Sequence, residues 1–263
     1  MTIYTDLVRY RELFANLFRR DFQARYKGSV LGVAWSLVNP LLLMGIYLVV
    51  FSVLFRFDVP HYPLFLLSGL AVWLFFAGSI SLAGRSMLES ANLIKKVRFP
   101  RQLVPLSVVA TQLVTFGAML AILIPVNLIV IPETRDWIWL AIPLGALVVL
   151  LVAGLALAVA SANAIFRDVE HIVGALLLPL FFLTPIFYTL ELMPGADDHP
   201  RIVDLLHWGN FLTPAIESVR APLFWGEPPA LGDFLYLVVA AIAALALGAW
   251  AFSRVDERLA VEL

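Results

Sequence analysis

Catalysis needs nucleophiles, acid–base pairs or metal ligands at workable spacing, and this chain offers few of them. Its four histidines, His61, His171, His199 and His207, form no His-Glu-x-x-His pair, and no Gly-x-Ser-x-Gly elbow occurs. Cysteine is absent, which removes thiolate metal sites, disulfides and thiol nucleophiles. Asp197, Asp198 and His199 have metal-ligand chemistry, but a lone run of this kind reads as a solvated turn. The three lysines, Lys27, Lys95 and Lys96, are followed by Gly, Lys and Val. With no Gly-Lys-Ser/Thr, the chain has no P-loop to cradle nucleotide phosphates. What remains is a set of basic residues near the N-terminus and a set of aromatic residues interleaved with small neutral polar groups. Basic residues suit anionic headgroups.

The elements that must position these groups lie in a bilayer. Of 263 residues, 62% are hydrophobic and 14% charged, against ~25% charged in a soluble domain, and the apolar residues run in long uninterrupted stretches. The expected fold class is an all-α polytopic membrane protein, a single transmembrane domain over residues 1–263. A span needs about 20 apolar residues, and six stretches qualify, at about 30–55, 62–84, 103–131, 137–162, 172–190 and 234–253. The third contains Pro105 and Pro125 and exceeds one bilayer thickness, so it must tilt or begin in the interface. Of 18 Lys and Arg, all but Arg56, Arg135, Arg201 and Arg220 fall on one side of these spans. The positive-inside rule therefore puts both termini in the cytoplasm. The first 28 residues are too charged, and the first apolar run too long, for a cleavable signal peptide.

None of the six expected cores carries Asp, Glu, Lys, Arg or His, so no proton or ion relay is visible. The energy for transport then enters from outside the membrane domain, through a cytoplasmic partner. Ahead of the first span, Tyr10, Phe14, Leu17 and Phe18 recur at helical steps, which predicts an amphipathic helix at about 3–22 lying in the headgroup plane. As a plain anchor it needs no other role. As a functional surface, its Arg19 and Arg20, with the following Arg25 and Lys27, would meet the phosphates of a lipid-linked substrate. After the second span, Ser86 and Glu89 fit a capping box and Pro100 a stop, which predicts a short helix at about 86–99. Its Leu88, Leu93, Ile94, Val97 and Phe99 exceed what a plain basic loop needs and could fill a partner's groove. A second inside loop with Asn163, Arg167, Asp168, Glu170 and His171 is either a further contact or only charge pairing at helix ends.

The chain resembles the membrane subunit of polysaccharide ABC exporters, the type-2 permeases that move O-antigen, capsule, teichoic acid or galactan chains. The resemblance rests on Arg25-Tyr-Lys-Gly-Ser-Val-Leu-Gly-Val-Ala-Trp-Ser-Leu-Val-Asn-Pro40, Asn92-Leu-Ile-Lys-Lys-Val-Arg-Phe-Pro-Arg101, and Phe166-Arg-Asp-Val-Glu-His-Ile-Val173 leading to Thr184-Pro-Ile-Phe-Tyr188. Asn210-Phe-Leu-Thr-Pro214 with Arg220 is a looser match. The resemblance implies the type-2 ABC exporter fold, with an interface helix, six spans and a coupling helix at about 86–99. It also implies re-entrant helices in the external segment at about 191–233. The working unit would be a homodimer with two ABC ATP-binding subunits, in the bacterial inner membrane. ATP and Mg²⁺ would sit in the partner, this chain holding no cofactor, metal or nucleic acid and performing no catalysis. Coupling residues would be Ser86, Glu89, Leu93, Ile94, Phe99, Arg167 and Asp168.

The path for such a polymer would be lined by Trp35, Asn39, Tyr47 and Phe51 on the first span, Trp73 and Phe76 on the second, and Phe181, Thr184 and Tyr188 on one face of the fifth. Three other readings stay open, one of them a passive structural or scaffold protein, which would not need the apolar helix at about 86–99. A type-2 permease for a small drug or lipid would share the fold and the coupling loop. An intramembrane enzyme would need polar catalytic groups clustered at one depth, which the uncharged cores lack.

Overall fold

Apolar runs in lipid must close their own backbone hydrogen bonds, and a helix does so within one segment. The computed structural model describes residues 9–28, 34–50, 59–97, 99–190 and 198–262, and among them the regular structure is helical throughout. In chain order the helices are α1 (Arg11–Tyr26), α2 (Trp35–Tyr47), α3 (Tyr62–Glu89), α4 (Ala91–Lys96), α5 (Leu103–Val130), α6 (Ala141–Ile165), α7 (Asp168–Leu183), α8 (Pro200–Trp208), α9 (Leu212–Arg220) and α10 (Leu231–Glu262). Four stretches are long and apolar enough to cross a membrane: Tyr62–Glu89, Leu103–Val130, Ile138–Ile165 and Leu231–Val255. These make the chain a polytopic membrane protein. The first eight residues and Phe51 lie outside the described residues.

Helix α3 is the hub. It starts with Pro63 in its first turn, where a missing N–H costs nothing. Phe65, Leu66, Leu70, Val72 and Ala83 along it are fully or almost fully buried, with α5, α6, α7 and α9 around them. Helices α5 and α10 instead keep much of their apolar surface outward, as lipid-facing helices do. The closest crossing is α6 against α10. A Cβ on Gly154 would overlap the backbone of Ala244 and Leu245, and one on Gly248 the carbonyl of Gly154. Without a hydrophobic drive between helices in lipid, such small-residue contact supplies the packing.

Two helix ends differ from the sequence expectation. Helix α7 stops at Leu183, with Thr184 extended at φ −97° and ψ 132°, because Pro185 disfavours helical geometry in the residue before it. Its 16 residues reach only about 24 Å at 1.5 Å per residue. Consequently Thr184 and Tyr188 do not continue the helical face of Phe181. The capping box is also not formed. Helix α3 runs on through Ser86 to Glu89, and the Ser86 hydroxyl donates to the Ala83 carbonyl at 2.8 Å. Nothing in the sequence halts α3 earlier, so the short helix begins only after Ser90.

Candidate functional site

At the end of the bundle that carries α1 and α4, a second apolar cluster gathers Leu17, Met87, Ile94, Leu103, Val104, Leu157 and Phe252. Leu13, Phe14, Leu93 and Phe99 pack against it. Three of the expected coupling residues, Leu93, Ile94 and Phe99, therefore face the chain's own core. The exposed groups here include Asn92, Lys95, Lys96, Val97, Phe166, Arg167 and Asp168. Asn163, fully buried, clamps the link between α6 and α7: its amide donates to the Gly84 carbonyl at 2.7 Å and its oxygen accepts from Glu170 N–H at 2.9 Å. Arg85 meets Glu170 at 4.0 Å.

The four basic residues expected to meet lipid phosphates, on and just after α1, divide into two pairs. Arg20 donates to Asp21 and to the Ser90 hydroxyl, and Arg25 donates to the Gln112 side chain. Both line a cavity of about 420 Å³ with Asp21, Ser86, Glu89 and Thr111. Arg19 and Lys27 are exposed and do not line it. The Ser107 hydroxyl donates to Asp21 at 2.7 Å, so α1 is tied to α5 by a polar contact as well as by Leu17.

The expected path aromatics split as well. Tyr47, Trp73, Phe76 and Phe181 come together: Trp73 lies 5.2 Å from Phe181 and 5.8 Å from Phe76, and Tyr47 lies 5.7 Å from Phe181. Phe187 joins at 5.7 Å from Phe181 and 5.1 Å from Tyr188. These offset and edge contacts each add stability beyond burial alone. Trp73, Phe76, Phe181 and Thr184 are buried, while Tyr47 and Tyr188 keep part of their rings accessible. Trp35 and Asn39 sit on the exposed face of α2, apart from the cluster.

The largest buried polar feature was not read from the sequence as a site. Arg220, counted above among the external loop charges, has no exposed surface. Its guanidinium donates to Glu217 at 2.6 Å, to the Pro185 carbonyl at 2.8 Å and to the Ile186 carbonyl at 3.0 Å, and it lies 4.0 Å over the Phe65 ring. The Tyr62 hydroxyl donates to the next carbonyl, Phe187, at 2.7 Å. Asn210 donates to the Thr184 hydroxyl at 2.8 Å. The helix break after α7 thus has its backbone groups met by side chains from α3, α9 and the turn before α9. A Cβ on Gly69 would collide with the guanidinium, which requires glycine there. The one sequence signal for this site is Glu217-Ser-Val-Arg220, opposite charges three residues apart on a helix with apolar neighbours. Burial pushes the Glu217 carboxyl above the usual carboxylate range against the pull of Arg220. Nearby, His207 meets Asp233 at 2.6 Å. That hydrogen bond, ahead of the cost of burial, holds the imidazole pKa above its ordinary 6.5.

The model of the ABC-2 type transporter family matches residues 12–224. The chain is 32% identical over 256 residues to the O-antigen export system permease protein RfbA of Myxococcus xanthus, covering 96% of this chain and 94% of that one. Two proteins of the same name from Klebsiella pneumoniae are 34% and 35% identical over 185 and 186 residues, each alignment covering 70% of this chain and 71% of the relative.

Two outcomes are expected from this geometry. Arg220→Met leaves a partly buried carboxylate and two buried carbonyls without their donor, and should cost about 3–5 kcal/mol. Adding Glu217→Gln should recover part of that loss, leaving the carbonyls' share. Denaturant unfolding in detergent measures both, and a double variant no better than the single one would contradict the ion-pair assignment. Separately, a raised pKa in the folded state means the His207–Asp233 pair stabilises fully below pH 6.5 and loses its effect as pH rises through the folded value. Hydrogen exchange of α8 should therefore be slower at about pH 6 than at about pH 9 after correction for intrinsic rates, and His207→Gln should abolish the difference.

Proposed function

We infer the function from membership: this chain belongs to the ABC-2 type transporter family, and it is the permease subunit of a polysaccharide ABC exporter. The single observation that carries this reading is the likeness along almost the whole chain to a permease named for O-antigen export. The cargo we propose is a lipid-linked polysaccharide, moved outward across the bacterial inner membrane. The chain has no phosphate-cradling loop of its own, so ATP and Mg²⁺ belong to two ATP-binding subunits beneath a pair of permeases.

In this scheme six spans and an interfacial N-terminal helix form each permease, with both termini in the cytoplasm. Helix α4 and the exposed Phe166, Arg167 and Asp168 form the docking face. Ser86, Glu89, Leu93, Ile94 and Phe99 transmit its movement, because they join α4 to α3 and to the cluster under α1. Arg19, Arg20, Arg25 and Lys27 receive the phosphates of the lipid carrier, a charge match that a bare sugar would not need. Trp35, Asn39, Tyr47, Phe51, Trp73, Phe76, Phe181, Thr184 and Tyr188 serve the path. Those buried in one protomer act by shaping it, and those with accessible rings by touching the sugar. A small drug or lipid as cargo has only the shared fold in its favour.

Depleting the chain should trap lipid-linked glycan on the cytoplasmic side, as measured by extraction and labelling from inverted vesicles. Charge reversal by Arg167→Glu with Asp168→Lys should leave the permease in the membrane yet end its co-purification with the ATP-binding subunit. A full surface coat in depleted cells would reject the cargo, and unchanged co-purification would reject the docking face.

A further inference from the structure

The end of the bundle formed by residues 131–140, 185–190 and 198–233 holds a cavity of about 590 Å³ that the path described above does not use. Its working groups are Thr189, His207, Glu217, Trp225, Glu227 and Asp233, drawn from four separate stretches of chain. The Trp225 ring is 42% exposed and rigidly seated, edge-on to Phe224 at 4.8 Å and to Phe65 at 6.0 Å. Gly226, at φ +73°, ends the turn and brings the backbone against the Glu133 carbonyl, which fixes the loop that carries the indole.

The two inner carboxylates are each half committed. Glu217 gives one oxygen to Arg220 and Asp233 gives one to His207. Among the described residues no donor meets the second oxygen of either, and neither of those oxygens is closed off from the cavity. They are acceptors held in place by their first partners, which is the arrangement that selects hydroxyl donors.

The chemistry of the lining narrows the ligand. Three carboxylates disfavour phosphate, sulfate or uronate. Arg220 and His207 offset part of that charge, and no cluster of three metal-ligating side chains exists among the described residues, which disfavours a cation. A purely apolar ligand would leave the carboxylates without donors. A ligand with several hydroxyls on its rim and one apolar C–H face satisfies both the acceptors and the indole. The cavity also adjoins the aromatic cluster along the chain, since Thr189 in its lining directly follows Tyr188.

We propose that this cavity is an exit subsite that holds a neutral sugar unit of the polymer, with Trp225 stacking on the ring and Glu217 and Asp233 accepting from its hydroxyls. The proposal rests on the polysaccharide reading and adds to it a specific place and a preference for uncharged units.

The test uses the full exporter in cells that lack their own permease, with the native polymer as the probe, detected by periodate-based carbohydrate staining. Trp225→p-benzoylphenylalanine should cross-link to polymer on illumination during export. The same substitution at Trp139, exposed at the same end of the bundle but not lining the cavity, should not. Equal capture at both positions, or capture at neither while surface polymer forms, overturns the subsite. Failure of the unsubstituted chain to restore surface polymer overturns the polysaccharide reading itself. If the photoreactive chain does not insert, Trp225→Phe and Trp225→Ala decide: at equal membrane levels Phe should keep the export rate and Ala should lose it several-fold, and equal rates for the two overturn the proposal.

Discussion

A helix that breaks among apolar neighbours leaves backbone carbonyls without water to bond, and each one unmet costs several kcal/mol in hydrocarbon. The half of this molecule that carries the break is arranged around that constraint. After α7 stops, the carbonyls of Pro185, Ile186 and Phe187 are taken up in succession by Arg220 and Tyr62. Arg220 can be there only because Glu217 offsets its charge, Phe65 offers its ring face and Gly69 leaves room. A buried charge held this way does not by itself indicate net stability. What it supplies is position, since the break, α9 and the first turns of α3 can only meet in one arrangement that satisfies all three.

The two ends of the bundle are consequently built on different physics. The end with Arg220 is fixed by directed, buried polar contacts that have few alternatives. The end with α1 and α4 is held by side-chain packing around Leu17, Met87 and Ile94, with polar ties from Asp21 and Asn163 at its edge. Packing of that kind can slide by small steps, whereas a carbonyl–guanidinium lattice switches or holds. On the proposed function, the first kind of joint suits an element that passes on movement from the ATP-binding subunit, and the second an outer mouth that stays closed between turnovers.

Much of this was legible in the sequence, and the parts that were not have identifiable reasons. The four long apolar helices announce themselves by length, because nothing else in a protein requires more than twenty uncharged residues in a row. The stop of α7 did not, because Pro185 lies inside an apolar run and a hydropathy reading weighs its hydrophobic neighbours and not its backbone. Counting positive charges places Arg220 in a loop because it treats every Arg outside a span as solvated, while its true partners include carbonyls 34 and 35 residues away. Ser86 and Glu89 have the spacing of a cap, but a cap forms only where a helix begins, and α3 has no reason to end before them. The residue types for a sugar path were visible as a set. Which rings lie inward and which remain accessible depends on packing between helices, and no spacing rule carries that information.

The central claim is that this chain is a conduit without an energy source of its own, worked by a nucleotide-hydrolysing partner to pass a lipid-linked polysaccharide. The most direct measurement is movement of that glycan across proteoliposomes containing the purified chain, with and without its ATP-binding subunit. The account predicts accumulation on the far side only when both subunits and hydrolysable ATP are present. Accumulation driven by the chain alone, or by an ion gradient without ATP, would contradict it.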